Sequence, residues 1–375
     1  MLALRGGAEL VALWAQVASV IELVTAVAAA GVGTGLAVYV ARSRRAARQR
    51  DFLRGALRIG LGLGAPLAAA AGAFSALQAE ALSGGRLGAG VFVLAAVAAW
   101  VAIVPVLVSS YWLGQQRRAR LLGLAIGSAL LALLAGWLAP DGFIVPAIIL
   151  SQAVPALALL FVADPQASAP RFRAGSHPLR RYVLPGLAIG LLGPGSMLVA
   201  RGHVGEVLSW HEAGVLQALW RLSDWVCAFA GGLLSLNYLP RFAAARHGGL
   251  VNAHMIGAAK AILGPCALVF GLLWLLHRPL LEVLYGPGFE PGGTATALFF
   301  LGSLARIASW IPLFALYAMR RTGAVTVGEL LSLPLFAAGV ILLSERLTLE
   351  AAGVLWLGAY SAYAAFNVWA ATRPQ

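Results

Sequence analysis

The chain of 375 residues is 61% hydrophobic and only 11% charged, with a mean hydropathy of +0.85, which excludes a soluble globular domain of this size. A formal net charge of +13 would suit nucleic acid in a soluble protein. Here the basic residues fall between apolar runs, where they read as topology signals and contacts to anionic lipid, so nucleic acid is excluded as a partner.

The amino-terminal run is no cleavable signal peptide, because Glu9 and Glu22 interrupt it and its apolar stretch continues to Val40, too long for an h-region. Runs of about 20 apolar residues bounded by charge or turn signals predict eleven membrane spans. They cover 12–40, 56–78, 88–108, 120–138, 143–163, 182–200, 211–237, 254–276, 295–318, 324–343 and 350–370. Glu22 sits deep in the first, on one helical face with Ser19, Thr25 and Ala29. Gly60, Gly62 and Gly64 in the second span, and Gly186 and Gly190 in the sixth, predict close helix contacts. Between the fifth and sixth, Asp164 to Arg181 is rich in Pro, Ser and Arg and has no apolar run. It divides the chain into an amino-terminal lobe, 1–163, a cytoplasmic linker, 164–181, and a carboxy-terminal lobe, 182–375.

The seventh span carries Arg221 and Asp224, three residues apart and able to touch on one face. A lone charge at the centre of a membrane helix costs roughly 2.5 to 3.5 kcal/mol, so such groups face a bundle interior or a wet cavity. At helical spacing that face continues through Gly214, Gln217, Ala228, Gly231 and Ser235, all polar or small, while Leu219, Trp220, Leu222, Trp225 and Phe229 lie elsewhere. The pair either neutralises itself and locks helix packing or lines a solute pathway. Arg306 is the other deep charge, flanked at helical spacing by Gly302, Ser303, Ser309 and Trp310. Glu212 and Glu329 lie nearer span ends, where a carboxylate reaches the interface cheaply. Arg201 and His203 are expected in an exterior loop. Cys227 and Cys266 fall inside apolar runs and are expected to pack, without a disulfide or metal role. No spacing resembles a metal site or a catalytic pair, so neither an enzyme nor a cofactor is expected.

Twenty Arg and Lys residues, among them Arg45, Arg118, Arg173, Arg246 and Arg321, fall on one side of the spans, and five fall on the other. Arg221 and Arg306 lie within spans. The positive-inside rule then places the carboxy terminus in the cytoplasm and, with an odd number of spans, the amino terminus outside. Without a signal peptide, that points either to a span count off by one or to an absent first helix.

The stretch from Trp210 to Arg241 resembles the bacterial polysaccharide flippases of the multidrug/oligosaccharidyl-lipid/polysaccharide exporter superfamily, especially O-antigen and lipid III translocases. Trp210, Glu212, Gly214, Gln217, Ser223, Asp224 and Tyr238-Leu239-Pro240 carry the resemblance. Gly302 to Gly323 is similar too, with Arg306 in the place of a basic residue of the family's tenth helix, and Gly31 to Ala41 looks like the end of its second. The likeness runs from about Val11 to the end, and Met1 to Leu10 looks like the exit from a first helix that is not here. It implies an all-α polytopic membrane protein with a two-lobe flippase fold of twelve helices, the first lacking. It also implies alternating access, carrying an undecaprenyl-pyrophosphate-linked oligosaccharide from the inner to the outer leaflet of the bacterial cytoplasmic membrane. Arg221 and Arg306 would contact the pyrophosphate, with Gln217 in the same cavity, and Asp224 and Glu22 would position them or couple to an ion. Membrane lipids, a glycan polymerase and chain-length proteins are the partners implied. A small-molecule or multidrug exporter of the same superfamily and a membrane polymerase or ligase of glycan assembly are the alternatives.

Overall fold

The computed structural model describes residues 2–43, 45–162, 179, 183–245, 248–286, 289–319 and 321–373. Among these the chain is helical, with no strand. Each of the eleven expected spans holds a helix or, in one case, a pair. The first six are α1 (Leu2–Arg42), α2 (Ala46–Leu77), α4 (Ala89–Gly114), α5 (Arg118–Leu138), α6 (Ile144–Val162) and α7 (Val183–Val207), with a short α3 (Ala79–Ser83) after α2. There follow α8 (Trp210–Leu233), α9 (Leu239–Ala244), α10 (Gly248–Leu275), α11 (His277–Tyr285) and α12 (Gly293–Ala318). The chain closes with α13 (Thr322–Leu330), α14 (Leu333–Leu342) and α15 (Leu349–Thr372). Eight helical stretches among the described residues are long and apolar enough to cross a bilayer. The others of that length, α7, α8 and α15, have 24 or 25 residues, roughly 36 Å of helix against a hydrocarbon core of about 30 Å. The protein is a multi-pass membrane protein.

Several boundaries differ from expectation, among them the start of α2 at Ala46 rather than 56. The first helix begins at Leu2 rather than 12, running through a kink at Gly6 and Gly7. Gly7 has φ +61° and ψ −159°, a conformation open to glycine alone. The expected single span at 324–343 is instead α13 and α14, broken at Ser332, where Pro334 can supply no amide hydrogen and favours a fresh start. Finally, α7 runs on to Val207. The expected linker at 164–181 lies outside the described residues, residue 179 excepted.

The chain forms two compact units, one of residues 14–198 and one of residues 2–13 with 199–375. In the first, α2 lies against α4 through small residues. A Cβ on Gly60 would stand 2.9 Å from Leu107 and 3.0 Å from Ile103. Gly190 of α7 approaches the backbone of α1, where a Cβ would be 2.6 Å from the Ala26 carbonyl carbon. Lipid tails are as apolar as leucine, so helices in a bilayer are held by such close approach and not by water exclusion. Leu122, Ile126, Leu130, Leu134 and Trp137 of α5 are exposed, as a lipid-facing helix requires.

The second unit is built on α12 and α15. Gly302 admits the Trp356 ring, and its Cβ would also come within 3.0 Å of the Leu357 amide nitrogen. Trp220 of α8 packs there edge-on to Phe299 and Phe336, with centroids 6.0 and 5.9 Å away, and tilted against Trp356 at 5.5 Å.

Within each unit, turns expected on the same side do meet. The Gln115 side chain donates to Gln49 Oε1 at 2.9 Å in the first unit, joining the end of α4 to the start of α2. In the second, Arg321 donates to the carbonyl of Arg373 at 2.9 Å, closing the open carbonyl end of α15. Because the 43–45 turn is expected in the cytoplasm, Ser43→Cys should resist a membrane-impermeant maleimide in intact cells and react after permeabilisation. Ready labelling of intact cells would reverse the orientation.

Candidate functional site

The site grows from α8. Its start is a serine N-cap: Ser209 Oγ accepts from the Glu212 amide at 3.0 Å, and Glu212 supplies the acidic first turn. One and a half turns on, Gly214 meets the first turns of α1. A Cβ there would overlap the carbonyl oxygen of Ala8 and lie 2.9 Å from its Cα. The small-and-polar face of α8 is therefore shut at its beginning. Gly214 is buried, as is Gln217, whose Oε1 has no hydrogen-bond partner. The face opens from Arg221 and Asp224, both half-buried, while Trp225 and Phe229 point outward.

Asp224 pairs with Arg306 of α12. Arg306 Nη1 donates to Asp224 Oδ1 at 2.8 Å, with 22% of the arginine side chain and 39% of the aspartate side chain exposed. Spacing on one helix allowed the expected Arg221 contact. Helix packing brings a guanidinium from α12 directly onto the carboxylate as well. Aromatic rings complete the cradle: the Arg306 guanidinium carbon lies 5.1 Å from the Trp310 centroid and 5.8 Å from that of Tyr360. Such placement favours a guanidinium that is partly desolvated. Gly231 leaves room for Trp310, since a Cβ there would stand 3.3 Å from the ring.

Arg221 lies within electrostatic reach of Tyr285 at the end of α11. Burial pushes the Tyr285 hydroxyl above its ordinary pKa, and the Arg221 charge pulls it part of the way back. Glu22 belongs to the first unit and is exposed on α1. Of the residues singled out from sequence, Gln217, Arg221, Asp224 and Arg306 thus share one unit, and Asp224 and Arg306 touch.

Two further polar residues escaped the sequence reading. Arg201, expected in an exterior loop, is a helical residue of α7 only 4% exposed, with its guanidinium carbon 5.7 Å from the Trp220 centroid. The charges after Ala200 read as a helix end, yet α7 continues through them; the absence of any turn residue except Gly202 and Gly205 was the available signal. Glu329, placed near a span end, accepts from Tyr363 Oη at 2.7 Å beside the break at Ser332. Cys227 and Cys266 are buried free thiols. Among the described residues no three His, Cys, Asp or Glu side chains gather where they could hold a metal ion.

Comparisons with known proteins place the fold. No protein-family model matches the sequence, and no curated protein matches it. Solved structures do. A multidrug resistance MATE family transporter of the MOP superfamily, in an inward-facing conformation, is similar with a TM-score of 0.74 over 97% of this chain and 88% of its own, at 13% identity. A MOP superfamily transporter from Pyrococcus furiosus, described by the reverse polarity of its binding pocket, gives 0.68 over 99% and 88%, at 14% identity. The lipid II flippase MurJ, in an inward closed conformation, gives 0.66 over 98% and 86%, at 12% identity. The chain shares the two-lobe fold of these transporters.

Proposed function

We propose that the protein is a membrane transporter that flips an undecaprenyl-pyrophosphate-linked oligosaccharide, an O-antigen or related surface-polysaccharide unit, between leaflets by alternating access. The observation that carries this reading is the Arg306 cradle: a guanidinium beside the Trp310 and Tyr360 rings, paired with the partly exposed carboxylate of Asp224. A diphosphate brings more negative charge than Asp224 and acceptors for both arms of the guanidinium fork, so it competes for the same donor. Arg221 and Gln217, on the same helix, add a second cation and an unpartnered polar group. The sugar headgroup would follow this polar face while the prenyl tail stays in lipid. The expected lobes, 1–163 and 182–375, would rock about the linker. The MurJ likeness supports a lipid-linked substrate.

A second reading, a multidrug exporter, has its own support. Asp224 is the more exposed member of the pair, which would favour a cationic substrate, and the MATE likeness fits it equally. A deletion strain separates the two. The flippase reading expects lipid-linked oligosaccharide to accumulate on the cytoplasmic leaflet and surface glycan to disappear; hypersensitivity to cationic drugs with normal glycan would establish the exporter instead.

A further inference from the structure

The first unit carries a feature the transport reading does not use. An open groove of about 490 Å³ runs between α4 and α5, lined by Pro105, Val106, Leu113, Leu121, Leu124 and Ala125, with Ser109, Ser110 and Ser128 between them. Two of these hydroxyls are already spent on their own helices: Ser110 donates to the Val106 carbonyl at 3.1 Å and Ser128 to that of Leu124 at 2.7 Å. What the groove presents is therefore largely apolar. It ends at Leu113 and Leu121, either side of the turn that bears Arg117, Arg118 and Arg120, all exposed. The Gln115–Gln49 hydrogen bond brings α2's exposed Arg48 and Arg50 to the same end. No Asp or Glu occurs between Glu80 and Asp141 to balance this charge from α4 or α5.

We infer that the α4–α5 groove is a binding site for an anionic phospholipid, with one acyl chain between the helices and the phosphate on Arg117, Arg118 and Arg120. Length and charge select this occupant. From Leu113 to Pro105 the groove follows α4 for roughly 12 Å, within the roughly 15 Å that one leaflet occupies of a 30 Å core. That fits the chain of a lipid confined to one leaflet. The arginines select an anionic headgroup over a zwitterionic one, and they can grip a phosphate bidentately. The groove shares no residue with the candidate site, whose Gln217, Arg221, Asp224 and Arg306 belong to the second unit.

The test is lipid retention by the purified full chain, read by native mass spectrometry after titration with phosphatidylglycerol or phosphatidylcholine. One phosphatidylglycerol should stay bound under conditions that strip phosphatidylcholine. At about fivefold per arginine near a charged headgroup, the triple variant Arg117→Gln/Arg118→Gln/Arg120→Gln should bind phosphatidylglycerol about a hundredfold more weakly. Ala125→Trp, at an exposed groove position with the arginines intact, should weaken it at least tenfold. Unchanged retention in the Ala125→Trp variant would show surface electrostatics without a groove and overturn the site. Equal retention of phosphatidylcholine, or displacement of phosphatidylglycerol by an equimolar polyprenyl diphosphate, would overturn the assigned ligand.

Discussion

Arg306→Ala should strongly reduce export of the surface glycan in a complemented deletion strain while leaving the protein in the membrane at its normal level. A charge-assisted hydrogen bond to a charged group is worth roughly 1.5 to 3 kcal/mol, so losing the guanidinium at a diphosphate should slow transport by about ten- to a hundredfold. Arg306→Lys should rescue only in part, because an ammonium cannot make two parallel bonds to phosphate and is less suited to the rings of Trp310 and Tyr360. The single variant also strands Asp224 without its partner, so a second comparison is needed to separate transport from packing. Replacing a buried pair by apolar residues is often neutral or stabilising. If the pair only locks helices, Arg306→Met with Asp224→Leu should export normally, and the exchanged pair, Arg306→Asp with Asp224→Arg, should do so too. We expect both doubles to be present in the membrane and inactive. Full export by either would sink the cavity reading, with a membrane-level blot run alongside.

Gly214→Ala should destabilise the protein more than any other single methyl addition along α8. Its Cβ would overlap backbone, the Ala8 carbonyl, with Ala8 Cα 2.9 Å away. A side chain could rotate aside, but here the whole first segment of α1, residues 2–13, must lift from α8. Overpacking of this kind costs typically 1 to 3 kcal/mol. For a unit of this size that lowers the apparent melting temperature in detergent by on the order of 5 °C. Gly231→Ala is the contrast. It presses only on the Trp310 ring at 3.3 Å, so melting should hardly change, while transport should fall because that ring supports Arg306. A Gly214→Ala protein with unchanged melting would mean that α1 does not dock on α8 as described.

The helices were legible in the sequence because their causes are local. An apolar run of about 20 residues at 1.5 Å rise spans a bilayer whatever its neighbours are, and each run from 12–40 to 350–370 holds helix. The face of α8 was legible for the same reason: a period of 3.6 places Gly214, Gln217, Arg221 and Asp224 together before any partner is known. What each of those residues meets was not legible, because partners come from other helices. Asp224 has an arginine within its own helix, yet its hydrogen bond goes to one 82 positions away. Gly214 looked like part of a wet stripe and is pressed against Ala8. The charge at Arg201 read as a helix end because a lone arginine in a membrane helix is costly. Tertiary packing instead buries it, with the Trp220 ring among its neighbours. Periodicity and hydropathy settle which face of a helix is polar, and only the packing of helices distant in sequence settles which charge answers which.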